Sequence, residues 1–444
     1  MTSISMVPKS IRLLLLVVLV LTGCTVVQPP SAAWPAGVPP RNTAISNTPI
    51  TLNVWFAADY VDQPPIVDLL RDFQRAYPNI TIHRTGVVWE DMPARVELAV
   101  RQGNPPDLAH AHAFAMAAQG LAEDLTDLWQ AWGAESEFMP GAMDDVIWQK
   151  RMYGMPLDIN ALFTIYNRKT FAENGIALPT SNWTFDDFRS AATRLTTRDG
   201  SRYGTALSAS GWALYGLVRA AGGDLLAERN GKVVATLDDP AVLKVFTLWH
   251  EMGLRDHVGT LPPPQPRQSD APVALFEAGK IGLFLSGPWD LARIRSEAPK
   301  MMKDVGTAVL PRGTNIPAAG SVQGGGSLFV PRGARNREAA FELMKWATSD
   351  PYAHRLAVEM GRYPVKMTQY NDPDLKGDAL LQPFIEQLKR ARPYRLEAYR
   401  GADDAWVDTV QAIFQSGVDI PALLKEAQAR AQRGVDEVET AKKR

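Results

Sequence analysis

Histidine and acidic side chains are the residues of this sequence that could do chemistry. His110 and His112 alternate along a predicted strand, so both rings face the same side. Two histidines are an incomplete ligand set and no third ligand is apparent nearby, so we predict no metal site. Asp144 and Asp145 form an adjacent pair, but neighbours in sequence do not face each other as the two carboxylates of a glycosidase must.

Motifs for nucleophilic or nucleotide chemistry are missing from the sequence. There is no G-x-S-x-G, no Walker loop and no G-x-G-x-x-G. Gly324 to Ser327 leads into a predicted strand and not a helix, which makes it a poor phosphate loop. Asp186 and Asp187 are best explained as helix-start acids after Thr184, at capping-box spacing with Trp183 as a hydrophobic staple. We therefore predict no enzyme and no cofactor.

The first fifty residues indicate export. Lys9 and Arg12 supply a short positive region, and Ile11 to Leu21 is almost continuously apolar but shorter than the roughly 20 residues needed to span a bilayer. The run closes on Leu-Thr-Gly followed by Cys24, the one cysteine of the 444 residues, so no disulfide can form within the chain. The Pro-rich stretch after it, residues 24–49, has the composition of a tether.

The elements after the tether predict a parallel α/β sheet, because strands and helices alternate. The predicted order is strand, helix, strand, helix, strand, at Thr51 to Phe56, Pro65 to Tyr77, Ile80 to Thr85, Met92 to Gln102 and Asp107 to Ala111. The length of the chain predicts two domains, and its net charge of −1 gives no indication of nucleic-acid binding.

Polar and aromatic residues follow each of these predicted strands. In a parallel sheet, ligands bind beyond the carboxyl ends of the strands. That rule places three groups on one rim of the sheet: Asp59 with Tyr60, Trp89 with Glu90, and His110 with His112.

A turn that feeds a buried strand follows this first unit. Gly154 and Pro156 interrupt the chain, and the aromatic and β-branched run from Ala161 to Asn167 predicts a buried strand. Asp158 and Asn160 stand at the junction. We interpret this stretch as the point where the chain crosses from one lobe to another beside a ligand site, with Asp158 either a ligand group or only the cap of the turn.

Taken in order, the chain after residue 50 resembles the sugar-binding solute-binding proteins of ABC importers, the family that includes maltose-binding protein. The Leu21 to Cys24 segment independently resembles the bacterial lipoprotein box. No single motif is specific, but their order and spacing are. The stretches that carry the resemblance are Tyr77-Pro78, Pro106 to Leu108, Gly120-Leu121, Tyr153 to Asn167, Trp183 to Asp187, Phe276 to Lys280, Ser286 to Trp289, Leu310-Pro311, Gly324 to Gly326 and Tyr363 to Val365.

The resemblance implies a two-lobed α/β periplasmic-binding-protein fold of type II, each lobe a mostly parallel sheet flanked by helices. Chain crossings near Leu157 to Asn160, Val305 to Leu310 and Gly361 to Val365 would lie at the base of a cleft. The implied domains are a signal peptide over 1–23, a tether over 24–49, an N-lobe of 50–158 plus 308–360 and a C-lobe of 159–307 plus 361–444. Cys24 would carry the lipid.

The same resemblance predicts where a sugar would be bound. Sugars offer hydroxyl groups to directional polar side chains and C–H faces to aromatic rings. The family places an aromatic ring at the position of Trp289, and the glycine backbone at Gly325 could approach a ligand closely. The predicted ligand-binding residues are Trp289, Trp212, Asp158, Tyr363, Arg362, Trp89, Glu90, Asp59, Tyr60, Gly325 and His112.

These expectations describe a monomeric, lipid-anchored, extracytoplasmic protein whose partners are a small solute, the ABC permease subunits and the membrane. Two alternatives stay open. The same fold could bind a non-sugar solute such as a glycerol phosphate or a polyamine, the latter requiring several carboxylates and a phosphate requiring several arginines or helix N-termini. A secreted carbohydrate-active hydrolase is the less favoured alternative.

Overall fold

The computed structural model describes residues 34–45, 47–261 and 271–442. The predicted signal peptide and Cys24 lie outside these residues, and so does the first part of the predicted tether. The chain divides into a unit of Met1–Pro35, of which only residues 34 and 35 are described, and a unit of Ala36–Arg444. All elements below belong to the second unit. None of the helices in the described ranges is long and apolar enough to cross a membrane.

Strands and helices alternate through the first hundred residues of this unit, as predicted, and helices dominate later. The strands are β1 Ile50–Ala57, β2 Ile80–Val87, β3 Leu108–Ala111, β4 Ile147–Trp148, β5 Arg151–Met152, β6 Gly154–Ala161, β7 Phe163–Asn167, β8 Thr205–Ala206, β9 Leu226–Arg229, β10 Lys232–Ala235, β11 Gly259–Thr260, β12 Leu283–Ser286, β13 Val305–Ala308, β14 Ser321–Phe329 and β15 Ala391–Pro393. The α-helices are α1 Pro64–Ala76, α2 Met92–Arg101, α3 Ala113–Ala118, α4 Thr126–Trp132, α5 Pro140–Met143, α6 Arg168–Glu173, α7 Phe185–Leu195, α8 Gly211–Ala220, α9 Pro240–Leu254, α10 Ala271–Glu277, α11 Pro288–Glu297, α12 Arg337–Ala347, α13 Asp350–Met360, α14 Pro373–Lys376, α15 Gln382–Leu388, α16 Arg400–Ala412 and α17 Ile420–Ala441. Short 3₁₀ turns span Trp89–Asp91, Glu135–Glu137, Pro299–Asp304, Met367–Asn371 and Arg395–Ala398.

The largest sheet has the strand order β15-β14-β3-β1-β2, with β6 also paired to β14. β1 runs parallel to β2 and β3, which is the predicted β-α-β-α-β unit. β14 is antiparallel to β3 and β6 and parallel to β15. The core lies between this sheet and its helices. For example, Ile66, Leu69, Leu70 and Phe73 recur at helical spacing along α1 and are buried.

The chain passes from this sheet to a second one within a single residue. β6 belongs to the large sheet, Leu162 follows, and β7 is the central strand of an antiparallel sheet of order β12-β7-β13. It returns between β13 and β14. The backbone N–H of Ile159 in β6 also donates to the carbonyl of Tyr363 over 2.9 Å, which holds a third segment against the same strand. These passages fall near the positions where the sequence predicts crossings.

Two local predictions can be compared directly with the structure. The predicted capping box is confirmed, because Thr184 and Asp187 exchange hydrogen bonds at the start of α7 and Trp183 packs on Phe188 with ring centroids 5.7 Å apart. The glycine run was predicted to lead into a strand, but it is part of one, since β14 begins at Ser321 and includes the run. Glycine weakens a strand on its own, but pairing with β6 along the whole run outweighs that cost.

Candidate functional site

Tyr60 and Asp158 form the buried centre of the candidate site. Tyr60 follows β1 and Asp158 lies in β6, and the Tyr60 hydroxyl donates to Oδ1 of Asp158 over 3.1 Å. Asn160, two residues along the strand and hence on the same face, donates from Nδ2 to Oδ2 of Asp158 over 3.3 Å. Burial raises the pKa of Asp158 to about 6, although Arg362 and these hydrogen bonds oppose the shift.

Arg362 lies against this centre. Its Nη2 donates to Oδ2 of Asp59 over 2.8 Å, and its guanidinium lies 4.7 Å from the ring centre of Tyr60 and 5.4 Å from that of Trp289. Both distances are within cation–π range. Burial would lower the pKa of Arg362, but the negative charges around it, Asp158 and Asp59 among them, raise it overall. Arg362 therefore stays a cation that is already paired.

Two tryptophan rings stand beside this arginine. Trp289 is at the start of α11 and Trp212 at the start of α8, and their centroids are 6.0 Å apart with the planes tilted by 51°. Trp212 Nε1 donates to the carbonyl of Gln323 in β14 over 3.3 Å. Both rings are only half-buried, so part of their apolar surface remains available to a ligand. Tyr60, Asp158, Arg362, Trp212 and Trp289 together are called the central cluster below.

His110 connects the central cluster to Trp89. It is fully buried, and its ring lies 4.6 Å from that of Tyr60 and 5.1 Å from that of Trp89, in edge-on geometry. Neither ring nitrogen has a hydrogen-bond partner among the described residues. Burial, with Arg362 and His112 adding to it, lowers the pKa of His110 to about 3. His110 is therefore a neutral group at physiological pH.

His112 has the opposite electrostatic setting although it is only two residues away. Its ring lies 5.2 Å from that of Trp89, and its Nδ1 pairs with Oδ1 of Asp145 over 2.6 Å. Glu397 approaches Nε2 at 3.9 Å. Burial would lower the pKa of His112, but Asp145 and Glu397 outweigh burial and raise it to about 10. His112 is therefore an imidazolium held between carboxylates. His112, Asp145, Glu397 and the neighbouring Asp403 are called the His112 cluster below.

The glycine run of β14 lets these side chains approach the strand. Gly325 has φ +108°, and a Cβ there would collide with the Asp158 carbonyl oxygen. A Cβ at Gly326 would collide with Nε2 of His110, and one at Gly324 would meet Asn160 and Trp212. The run is therefore the backbone floor of the candidate site.

The structure brings most of the predicted ligand-binding residues into one contact network and leaves two at its margin. The Tyr363 ring packs on Phe384, with centroids 4.6 Å apart. Only the backbone carbonyl of Tyr363 contacts a strand of the site, where it accepts the hydrogen bond from Ile159 in β6. Glu90 is exposed beside Trp89. The members of the network are Asp59, Tyr60, Trp89, His112, Asp158, Trp212, Trp289, Gly325 and Arg362.

Several groups in the network were not among the predicted binding residues. The sequence predicts Asn160 only as a junction residue, and it predicts His110 on the rim of the sheet but not as a ligand-binding residue. Asp145 and Glu397 could not be found, because their contacts with His112 join positions far apart in the sequence. Tyr370, whose buried hydroxyl has no partner in the described part of the chain, also lies within electrostatic range of Asp158.

One group of side chains outside the site has metal-ligand chemistry. Ligand atoms of His354, Asp372 and Asp374 lie within 4.8 Å of one another. They already pair among themselves, since Nδ1 of His354 is 2.8 Å from Asp372 and its Nε2 is 3.6 Å from Asp374. The contacts therefore satisfy these groups as an ordinary surface ion-pair cluster.

The model of the bacterial extracellular solute-binding protein family matches residues 57–354, more than half of the chain. The diacetylchitobiose binding protein DasA of Streptomyces coelicolor is 25% identical over 338 residues, covering 74% of this chain and 76% of that protein.

Two solved structures share the fold. The GacH receptor of Streptomyces glaucescens GLA.O, solved unliganded and with acarbose, aligns with a TM-score of 0.78 and 18% identity over 88% of this chain and 99% of its own. UgpB of Mycobacterium tuberculosis, in complex with glycerophosphocholine, aligns with a TM-score of 0.74 and 18% identity over 87% of this chain and 98% of its own. These likenesses confirm the predicted type II fold.

Proposed function

The chain belongs to the bacterial extracellular solute-binding protein family, and from that premise we propose that it captures a sugar between two lobes and delivers it to the permease of an ABC importer. Family membership places the protein outside the cytoplasm. Membership also makes it a binding protein and not an enzyme, so the hydrolase alternative is set aside.

The central cluster is the observation that carries the proposal for a sugar. The partly exposed rings of Trp212 and Trp289 stand next to the directional groups of Asp158 and Arg362. Ring faces suit the C–H patches of a pyranose, and carboxylate and guanidinium groups suit its hydroxyls. The ligand that gives one relative its name, diacetylchitobiose, is a carbohydrate, and so is the acarbose bound to one structural neighbour.

A phosphate-bearing solute is the second candidate, because UgpB is described in complex with glycerophosphocholine. The charges of the site count against it. Arg362 is engaged by Asp59, and Asp158 and Asp290 also act on it. His110 is neutral, and His112 is held by Asp145. A phosphate would therefore have to displace carboxylates from their cations, which makes a neutral hydroxyl-rich ligand the better match.

The two lobes of the proposal are residues 50–158 plus 308–360 and residues 159–307 plus 361–444. The change of sheet between β6 and β7 and the return between β13 and β14 support this division, although the end of β6 and the strand β15, which fall in the second set, pair within the large sheet. The central cluster joins Tyr60 of the first lobe to Trp212, Trp289 and Arg362 of the second. A ligand that contacts both sets stabilises the closed arrangement by its differential affinity for it.

Thermal-shift screening of the soluble domain tests the ligand class. We expect sugars to raise the unfolding temperature, because a ligand that binds only the native state stabilises it. A shift from phosphate esters alone would overturn the sugar assignment. Isothermal titration of the best sugar then gives its affinity, for which we expect about micromolar, or about −8 kcal/mol.

Lipid anchoring through Cys24 is part of the proposal and has its own test. Cys24→Ser should move the protein from the membrane fraction to the soluble extracytoplasmic fraction, because no other cysteine can take the lipid. A variant that stays in the membrane fraction would contradict the anchor and leave the sugar assignment untouched.

A further inference from the structure

We propose that the His112 cluster is a subsite for a protonated amine carried by the hydroxyl-rich ligand, which makes the preferred ligand an amino sugar. The inference rests on the proposed function, since it adds a charge requirement to the same site. Its basis is an excess of carboxylates, one buried and two half-buried, at one end of the contact network.

The geometry of the cluster leaves carboxylate oxygens available. Asp145 uses Oδ1 for its bond to His112, at 2.6 Å. Glu397 stands 3.9 Å from the other ring nitrogen, which is an ion-pair distance and too long for a hydrogen bond. Asp403 accepts from the Tyr394 hydroxyl over 2.5 Å. One imidazolium thus stands against the carboxylates of Asp145 and Glu397, with that of Asp403 in electrostatic range.

An unsatisfied oxygen is the independent sign that a ligand group belongs here. Asp145 is only 8% exposed, and its Oδ2 has no hydrogen-bond partner among the described residues. A buried carboxylate oxygen without a donor costs free energy that a donor from outside the protein would recover. A protonated amine offers up to three donors and a positive charge to this end of the site.

The neighbouring cations do not neutralise the excess. Arg395 stands two residues before Glu397, but its guanidinium lies over the Phe114 ring at 4.7 Å and 3.8 Å from the carboxylate of Asp144. Burial, with other contributions, raises the pKa of Glu397 to about 7 and that of Asp403 to about 6, as expected of carboxylates that lack sufficient positive charge. A bound ammonium would favour their ionised forms.

The position of the cluster selects an amino sugar over a polyamine. The Trp89 ring contacts His112 at 5.2 Å and His110 at 5.1 Å, so the cluster is continuous with the aromatic part of the site. Arg362 is a cation at the other end of this network. A ligand that is positive along its whole length would meet Arg362 unfavourably. A ligand that is neutral at Arg362 and carries its positive charge at the carboxylates around His112, Asp145 and Glu397, fits both ends.

Matched sugars test the inference by isothermal titration at pH 7. Each pair consists of a neutral sugar and the same sugar with amine in place of hydroxyl: glucose and glucosamine, galactose and galactosamine, cellobiose and chitobiose. Diacetylchitobiose is the control that keeps the nitrogen of chitobiose but removes its positive charge. We expect the amine member of the pair that binds to bind at least tenfold more tightly. Glu397→Gln should abolish that preference, whereas Glu426→Gln, at an exposed position of α17, should keep it.

The outcomes separate this inference from the proposed function. If the sugars bind and the amine confers no preference, or if Glu397→Gln keeps the preference, the amine subsite is wrong and the sugar assignment stands. If spermidine binds more tightly than every sugar, the amine recognition belongs to a polyamine and the amino-sugar assignment is overturned. If no sugar of the set binds the wild-type protein, the proposed function fails and this inference fails with it.

Discussion

The hydroxyl of Tyr60 donates a hydrogen bond to Oδ1 of Asp158, 3.1 Å away, and both residues are buried. The bond joins the end of β1 to the middle of β6. Asp158 lies within β6 and not in a turn, and its carboxylate contacts Tyr60 and is acted on by Arg362, so its interpretation as the cap of a turn is wrong. Ligand titration into the Asp158→Asn variant tests whether Asp158 also contacts the ligand.

Asp158→Asn should change how stability depends on pH. The pKa of Asp158 is about 6 in the folded protein, above its ordinary value of 3.8, mainly because of burial. The folded state therefore binds more protons between about pH 4 and pH 6, and the wild type loses stability as pH rises through that window. An asparagine does not titrate. Relative to wild type, the variant should gain about 2 kcal/mol between pH 4 and pH 7.5.

Urea unfolding of both proteins at several pH values measures this gain. The other titratable groups affect the free energy of unfolding of both proteins, so their contribution cancels when the two free energies are subtracted. The wild type therefore serves as the control. A difference that stays constant with pH would contradict the raised pKa. Titration of the ligand into the variant at pH 7.5 reports separately on the role in binding, for which we expect a loss of at least about tenfold, or about 1.4 kcal/mol.

Trp289→Ala should weaken ligand binding and leave the fold intact. The ring lies 6.0 Å from that of Trp212, and its centre is 5.4 Å from the Arg362 guanidinium. Its loss therefore removes an apolar face from the site and a packing partner from Arg362. We expect affinity to fall at least about 30-fold, the size of an interface hot spot of about 2 kcal/mol.

Trp148→Ala is the matched control for that variant. Trp148 is also half-buried, but it packs on Tyr399 and Lys442, away from the central cluster. The affinity of the Trp148→Ala variant for the ligand should stay within about threefold of wild type, which is a change of less than about 1 kcal/mol in binding free energy. Thermal unfolding without ligand checks that both variants fold. Wild-type affinity in folded Trp289→Ala would remove this residue from the binding site.

Gly325→Ala should destabilise the protein more than an alanine at a comparable glycine. Gly325 combines φ +108° with a collision between the new Cβ and the Asp158 carbonyl oxygen. Gly333 has φ +83° and nothing within 4 Å of a Cβ. We expect a loss of about 1 kcal/mol in the free energy of unfolding for Gly333→Ala and about 3 kcal/mol or more for Gly325→Ala. Equal losses in urea unfolding would show that the strand moves aside at little cost.

The sequence predicted those features that depend on neighbouring residues or on the residue type at a strand end. The capping box at Thr184 is local, and Asp59 with Tyr60 follows β1 as the α/β rule requires. The length of β14 was not predicted, because the low strand propensity of glycine is a local property. The pairing with β6 that keeps the glycine run in the strand comes from a distant part of the chain. Glu397 was not predicted either, because its contact with His112 depends on how segments almost three hundred residues apart pack together.

His110 and His112 should titrate far apart, on opposite sides of neutrality. Burial lowers the pKa of His110 to about 3, while Asp145 and Glu397 overcome burial and raise that of His112 to about 10. At pH 7 the first ring is neutral and the second is protonated. His112 therefore contributes stability that is complete below the unfolded pKa of about 6.5 and is lost as pH rises toward 10.

Proton and nitrogen NMR of the imidazoles across pH 4 to 9, with assignment by His110→Asn and His112→Asn, measures both groups. Neither resonance should titrate fully in that range. Asp145→Asn should bring the His112 titration down into it, because the variant removes the charge 2.6 Å from Nδ1. Asp186→Asn, at the exposed start of α7, is the control and should leave both resonances unchanged. Two histidines that titrate together near pH 6.5 would contradict the ion pair with Asp145 and remove the charge balance on which the amine subsite depends.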